Sequence, residues 1–153
     1  MRKIVGRIAS IGTVGLVAAA TLAMSTASAQ AAGYWSESAP KYATNVGTLT
    51  SKSVTVTPDT YTIQLRAGKY GGKSYIWARV PNPPGDAGGN DNLFFDVYNP
   101  GTGKWHTSGA TYPIKSRTTY SKAHQTKAGW GYRACAKDNI MGGSPAKCIT
   151  WWV

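Results

Sequence analysis

Between Thr60 and Val80 the chain reads Thr-Tyr-Thr-Ile-Gln-Leu-Arg-Ala-Gly-Lys-Tyr-Gly-Gly-Lys-Ser-Tyr-Ile-Trp-Ala-Arg-Val. Tyr61, Ile63 and Leu65 alternate with Thr62, Gln64 and Arg66. A period of two is the mark of a strand with one face buried and one face polar. Gly71-Gly72 supplies the positive φ angles of a tight hairpin turn. With that pair as the turn, Tyr70 faces Lys73, Arg66 faces Trp77, Leu65 faces Ala78, Gln64 faces Arg79 and Ile63 faces Val80. A register slip of one residue would bring Arg79 onto the aliphatic face, where an unpaired charge is costly. The hairpin therefore has an aliphatic face and a second face bearing Arg66, Trp77 and Arg79, with Tyr75 alongside. That second face is either open to solvent, as a binding surface, or packed under another layer with only the arginine tips in water.

The rest of the chain supports an all-β fold. Val54 and Val56 alternate with serine and threonine; Leu93, Phe95 and Val97 form one face of a further strand. Asn99-Pro100-Gly101-Thr102-Gly103 turns that strand back onto Lys104–Thr107. Shorter strands are expected at Tyr112–Ile114 and Arg117–Tyr120, and longer ones at Gly129–Ala136 and Cys148–Val153. No stretch after residue 29 has the spacing of an amphipathic helix. Short strands separated by glycine and proline turns predict a small antiparallel β-sandwich or a partly open barrel. Pro81–Asn92 is rich in breakers and is expected to be an exposed loop, cut first by proteases.

The first residues point to export. Arg2, Lys3 and Arg7 precede a small-residue apolar run from Ile8 to about Met24, and Ala27-Ser28-Ala29 follows with the form of a cleavage site. Residues 1–29 are expected to be a secretory signal peptide, and 30–153 a single secreted, monomeric β domain with no transmembrane anchor after processing. Ala29-Gln30-Ala31 is a second candidate site, and an uncleaved anchor is the competing reading. The segment carries three of the 17 basic residues, leaving 14 against 6 acidic ones, a net charge of +8. Such a balance attracts anionic polymers and surfaces, and an extracellular setting argues against a specific nucleic-acid partner. In an oxidising compartment Cys135 and Cys148, the two cysteines of the chain, are expected to pair, with α-carbons about 4.4 to 6.8 Å apart.

Leu65-Arg66, Trp77-Ala78-Arg79, Arg133-Ala134-Cys135 and Cys148 with Trp151-Trp152 resemble elements of small secreted proteins of actinomycetes. The resemblance runs from about Thr60 to the C-terminus. It implies the fold and export, and no catalytic residues. Proteins of that group often carry a cysteine ahead of Trp-Ala-Arg. This chain has Gly-Lys-Tyr-Gly-Gly-Lys there, so a second disulfide is not expected.

The residues give little support to an enzyme. Of the acids after residue 29, only Asp96 sits within an expected strand, so the paired carboxylates of a glycosidase are not evident. Asp86 and Asp91 share a loop that could offer oxygen ligands to calcium, which is a weak signal. His106 and His124 lie outside any nucleophile–base motif and are expected to be exposed and inert. No metal-ligand spacing and no cofactor fingerprint occurs. What stands out is aromatic and basic: six Trp and nine Tyr. Ile149, Trp151 and Val153 share one face of the last strand, which turns Trp152 outward or beneath a loop. The expectation is a binding module for an anionic polysaccharide, cell-wall polymer or other glycan, using Arg66, Tyr75, Trp77, Arg79 and Trp152. An inhibitor of an extracellular enzyme, or a cationic membrane-active protein, are the alternatives.

Overall fold

The computed structural model describes residues 34–84, 90–139 and 145–153. The expected signal peptide lies outside the described residues, as does the centre of the Pro81–Asn92 loop.

The glycine hairpin forms in the register that its alternation requires. Strands β3 (Asp59–Tyr70) and β4 (Lys73–Val80) pair Gln64 with Arg79, Leu65 with Ala78, Arg66 with Trp77 and Tyr70 with Lys73. Gly71 and Gly72 take φ of +56° and +75°, values that an L side chain would disfavour. Strand β2 (Thr44–Val56) pairs antiparallel with β3 and is interrupted by irregularities at Thr44/Gly47 and Thr48/Thr50. On the other side of β4 lie β8 (Thr119–Tyr120) and β9 (Ala123–Gln125), and β9 in turn pairs with β1 (Trp35–Ser36).

A second sheet packs against the first. Its order is β11 (Lys147–Trp152), β10 (Gly131–Asp138), β5 (Asp91–Asn99) and β6 (Lys104–Thr107), with β7 (Tyr112–Pro113) also on β5. Every pairing in both sheets is antiparallel. The inner faces meet in one core: Tyr61, Ile63, Leu65, Ile76, Ala78 and Val80 from the first sheet meet Leu93, Phe95, Val97, Tyr132, Ala134 and Ile149 from the second. Burying each large side chain contributes about 1.5–3 kcal/mol. The architecture is thus an all-β sandwich.

Several details differ from the sequence reading. Ala39–Tyr42 forms a single helical turn, α1, in a stretch with no legible period. Pro40 suits the start of a helix, and Ser36 Oγ accepts the Ala39 N–H at 3.0 Å. The loop after Val80 ends sooner than expected, because Asp91 and Asn92 are buried in β5. Asp91 pairs across the ladder with Asp138, and its Oδ2 lies 2.6 Å from the Tyr61 hydroxyl. Burial pushes the Asp91 carboxyl above the usual carboxylate range, with Asp138 and Asp59 adding to the shift and the Tyr61 hydrogen bond opposing it.

His124 corrects a further expectation: it is in the core rather than in water. Its ring stacks on Trp130, with centroids 5.5 Å apart, and meets Trp35 edge-on at 4.9 Å. Nδ1–H donates to the Gln125 carbonyl at 2.7 Å. Burial lowers its pKa from 6.5 to about 4, against the raising effect of that hydrogen bond, and Lys127 lowers it further. The polar run Ser121–Lys127 hides the cause, which is that His124 sits opposite Ile76 on the inner face. His106 is exposed, as expected.

Candidate functional site

The outer face of the β3–β4 hairpin is closed. Trp77 is 1% exposed and Tyr75 8%, and both pack with Ala39 of α1 and Ala123 of β9. Neither ring is presented to solvent, which corrects the expectation of an open cationic-aromatic surface. Parity put the residues on the predicted side, but the segment 36–43 covers them. Arg66 and Arg79 flank the buried indole and are partly exposed. Arg79 Nη1 lies 3.5 Å from Gln64 Oε1, and its guanidinium is 5.7 Å from the Tyr120 ring. Trp77 Nε1, Arg66 Nε and Arg79 Nε are buried without an acceptor among the described residues.

The open aromatic surface lies on the other sheet. Strand register sets Trp152 (β11), Gly131 (β10), Tyr98 (β5) and Trp105 (β6) in one row across four strands. Val97, Tyr132 and Phe95 point into the core, so the alternate residues of these strands point outward. The three rings gather over Gly131: centroids are 5.5 Å apart for Tyr98–Trp105, 5.4 Å for Tyr98–Trp152 and 6.1 Å for Trp105–Trp152.

Trp152 lies flat on the sheet. A Cβ at residue 131 would sit 2.7 Å from Cζ3 and 2.9 Å from both Cε3 and Cη2 of its ring. Near-equal distances to three consecutive ring carbons mean that the ring face, not its edge, covers Gly131. Glycine is what permits that approach. The other ring face looks to solvent, and Trp152 is 56% exposed, the expected outward ring. Tyr98 and Trp105 are tilted to it by 72° and 58° and stand as walls around it.

The next outward row is Thr150, Arg133, Asp96 and Thr107. Arg133 Nε and Nη2 donate to Asp96 Oδ2 at 3.1 and 2.7 Å, and the guanidinium lies 4.3 Å from the Trp105 ring centroid. One row further, Cys135 and Cys148 face each other and are bonded. Their α-carbons are 4.1 Å apart, just under the expected range; the two residues sit directly opposite on adjacent strands, where facing α-carbons come as close as about 4.5 Å. The disulfide thus fastens the edge strand that carries Trp152.

Asp59 and Asp91 meet at the Tyr61 hydroxyl, at 3.0 and 2.6 Å, which commits Asp91 to the sandwich interior. Asp86, the other half of the calcium signal, lies outside the described residues. Among the described residues no three His, Cys, Asp or Glu side chains are arranged to hold a metal ion, and no helix is long and apolar enough to cross a membrane.

Of Arg66, Tyr75, Trp77, Arg79 and Trp152, the binding residues expected from the sequence, only Trp152 belongs to this site. Tyr98, Trp105, Gly131, Arg133 and Asp96 were missed. Period two alone marks Tyr98 and Asp96 as outward once Phe95 and Val97 are taken as inward. The joining of β5 to β10, which completes the row, is a pairing between strands remote in sequence. No protein-family model, curated protein or solved structure matches the chain.

Proposed function

We propose that this protein is a secreted, non-enzymatic module that binds a glycan on an extracellular surface through the outer aromatic face of the β11–β10–β5–β6 sheet. The observation that carries this reading is the solvent-facing indole of Trp152, laid flat on Gly131 and walled by Tyr98 and Trp105. A pyranose ring has an apolar C–H face that stacks on an indole and a rim of hydroxyls that needs hydrogen-bonding partners. Aromatic surface of this kind combines large contact area with few rotatable bonds. Arg133 and Asp96 stand in the next row and offer donors and acceptors to such a rim. The disulfide is compatible with an oxidising compartment, and the basic balance of the chain with an anionic surface around the bound polymer.

The test is affinity electrophoresis and calorimetric titration of the protein against a panel of soluble polysaccharides. Trp152→Ala should weaken binding about tenfold or more, taking as a guide the cost of removing one aromatic platform under a stacked nucleobase. Unchanged affinity in a folded Trp152→Ala protein would overturn the reading. Leakage from anionic vesicles, again dependent on Trp152, would favour a membrane-active protein instead.

A further inference from the structure

Resting on the reading above, we infer that the outer aromatic site selects an uncharged glycan, although the chain as a whole is strongly basic. The ground is the Arg133–Asp96 pair. Arg133 turns both Nε and Nη2 onto the one oxygen Asp96 Oδ2 while its guanidinium packs against Trp105. The two side chains are only 32% and 17% exposed, so water screens their charges little. Within the row, one positive and one negative charge cancel.

A ligand carboxylate or sulfate would meet two obstacles there. It would find the guanidinium charge already neutralised by Asp96, which holds two of its N–H groups. It would also approach the Asp96 carboxylate, a like charge in a partly dehydrated place. A hydroxyl meets neither, since it can donate to the carboxylate or accept from the guanidinium with the pair intact.

The neighbouring lysines do not restore a positive site. Lys104 precedes Trp105 on β6, and the alternation of the strand turns it to the opposite side. Lys137 does share the outer face of β10, but six residues from Gly131, which is about 20 Å along a strand and beyond a screening length of about 10 Å at 0.1 M salt. Among the described residues, Lys104 and Lys137 therefore add no positive charge to the row, and Lys127 is held over the Tyr34 and Trp130 rings, 3.5 and 4.9 Å from their centroids.

The experiment compares dextran, hydroxyethyl cellulose and unsubstituted xylan with polygalacturonate and hyaluronate, using the full-length protein and its Trp152→Ala and Asp96→Asn variants. The expected result is Trp152-dependent binding of at least one neutral polymer. Its affinity should change less than about twofold between about 0.1 M and about 1 M salt, over which the screening length falls from about 10 Å to about 3 Å. Asp96→Asn leaves Arg133 uncompensated and should gain about fivefold or more in affinity for polygalacturonate at low salt, a gain abolished at high salt. Trp152-dependent binding of an acidic polymer that exceeds the neutral ones and falls with salt overturns the inference while leaving the aromatic site in place. Binding of every polymer unaffected by Trp152→Ala overturns the site itself. The salt series on the unaltered protein decides the matter even if Asp96→Asn does not fold.

Discussion

Trp152 rests its ring face on Gly131, the residue directly across the β10–β11 ladder, and the bare α-carbon is what lets the indole lie flat. A methyl group at 131 would need space that three indole carbons occupy at 2.7 to 2.9 Å. Gly131→Ala should therefore tilt or lift Trp152 and lower glycan affinity about tenfold, near the loss on deleting the ring. Stability should fall by no more than about 1 kcal/mol, because a partly exposed ring at a sheet edge can move. Near-UV circular dichroism and binding, measured on the same samples, check this. Full affinity in Gly131→Ala would show that the flat pose of Trp152 is not required.

Trp77 provides the contrasting case. It is a large ring on a face that looks available in the sequence, yet it is fully buried beneath α1 and β9. Trp77→Ala should cost about 3–5 kcal/mol of stability. Any fraction that remains folded should bind the polymer with unchanged affinity. Denaturant melts paired with binding at low temperature separate the two effects.

The buried His124 ties stability to pH. Its folded pKa of about 4 lies below the unfolded value of 6.5, so the unfolded chain binds the proton more tightly. The stabilisation is then fully present above pH 6.5. It is lost progressively as the pH falls from 6.5 to about 4, and below that there is no further loss. The drop from 6.5 to about 4 corresponds to about 3 kcal/mol across this window. Urea melts from pH 7 to pH 4 should show that fall in the wild type. A His124→Phe variant, keeping the ring among Trp35, Trp130 and Tyr132, should show a much smaller one.

Reduction of Cys135–Cys148 should act on both stability and binding. The bond closes a short loop, with the cysteines 13 residues apart, and its removal in Cys135→Ser should cost about 2–5 kcal/mol. Because β11 is paired on one side only among the described residues, as an edge strand, its C-terminal end should loosen first and take Trp152 off Gly131. Hydrogen exchange at Thr150–Trp152 should therefore accelerate under reducing conditions more than exchange in β3 and β4.

Parity and turn chemistry are local properties, and they were legible. Gly71-Gly72 and the run Tyr61–Leu65 determine the central hairpin and its register, because a one-residue slip would bury Arg79. Alternation in Leu93–Val97 likewise determines which side chains point inward, and in the last strand it sets Trp152 outward, although of its expected apolar face only Ile149 is buried and Trp151 and Val153 are exposed at the end of the edge strand. What parity cannot say is which outward face stays open. The helical turn at Ala39–Tyr42 has no periodic signal, yet its docking, together with Ala123 of β9, decides that Trp77 is core. The polar residues around His124 gave no hint that β9 would turn it inward beside Ile76. The candidate site itself joins β11, β10, β5 and β6, whose order depends on the pairing of β5 with β10, strands remote in sequence. The pleat determined the direction of each ring. Only the lateral order of the strands, fixed by the packing of one sheet on the other, brought Trp152, Tyr98 and Trp105 together over a glycine.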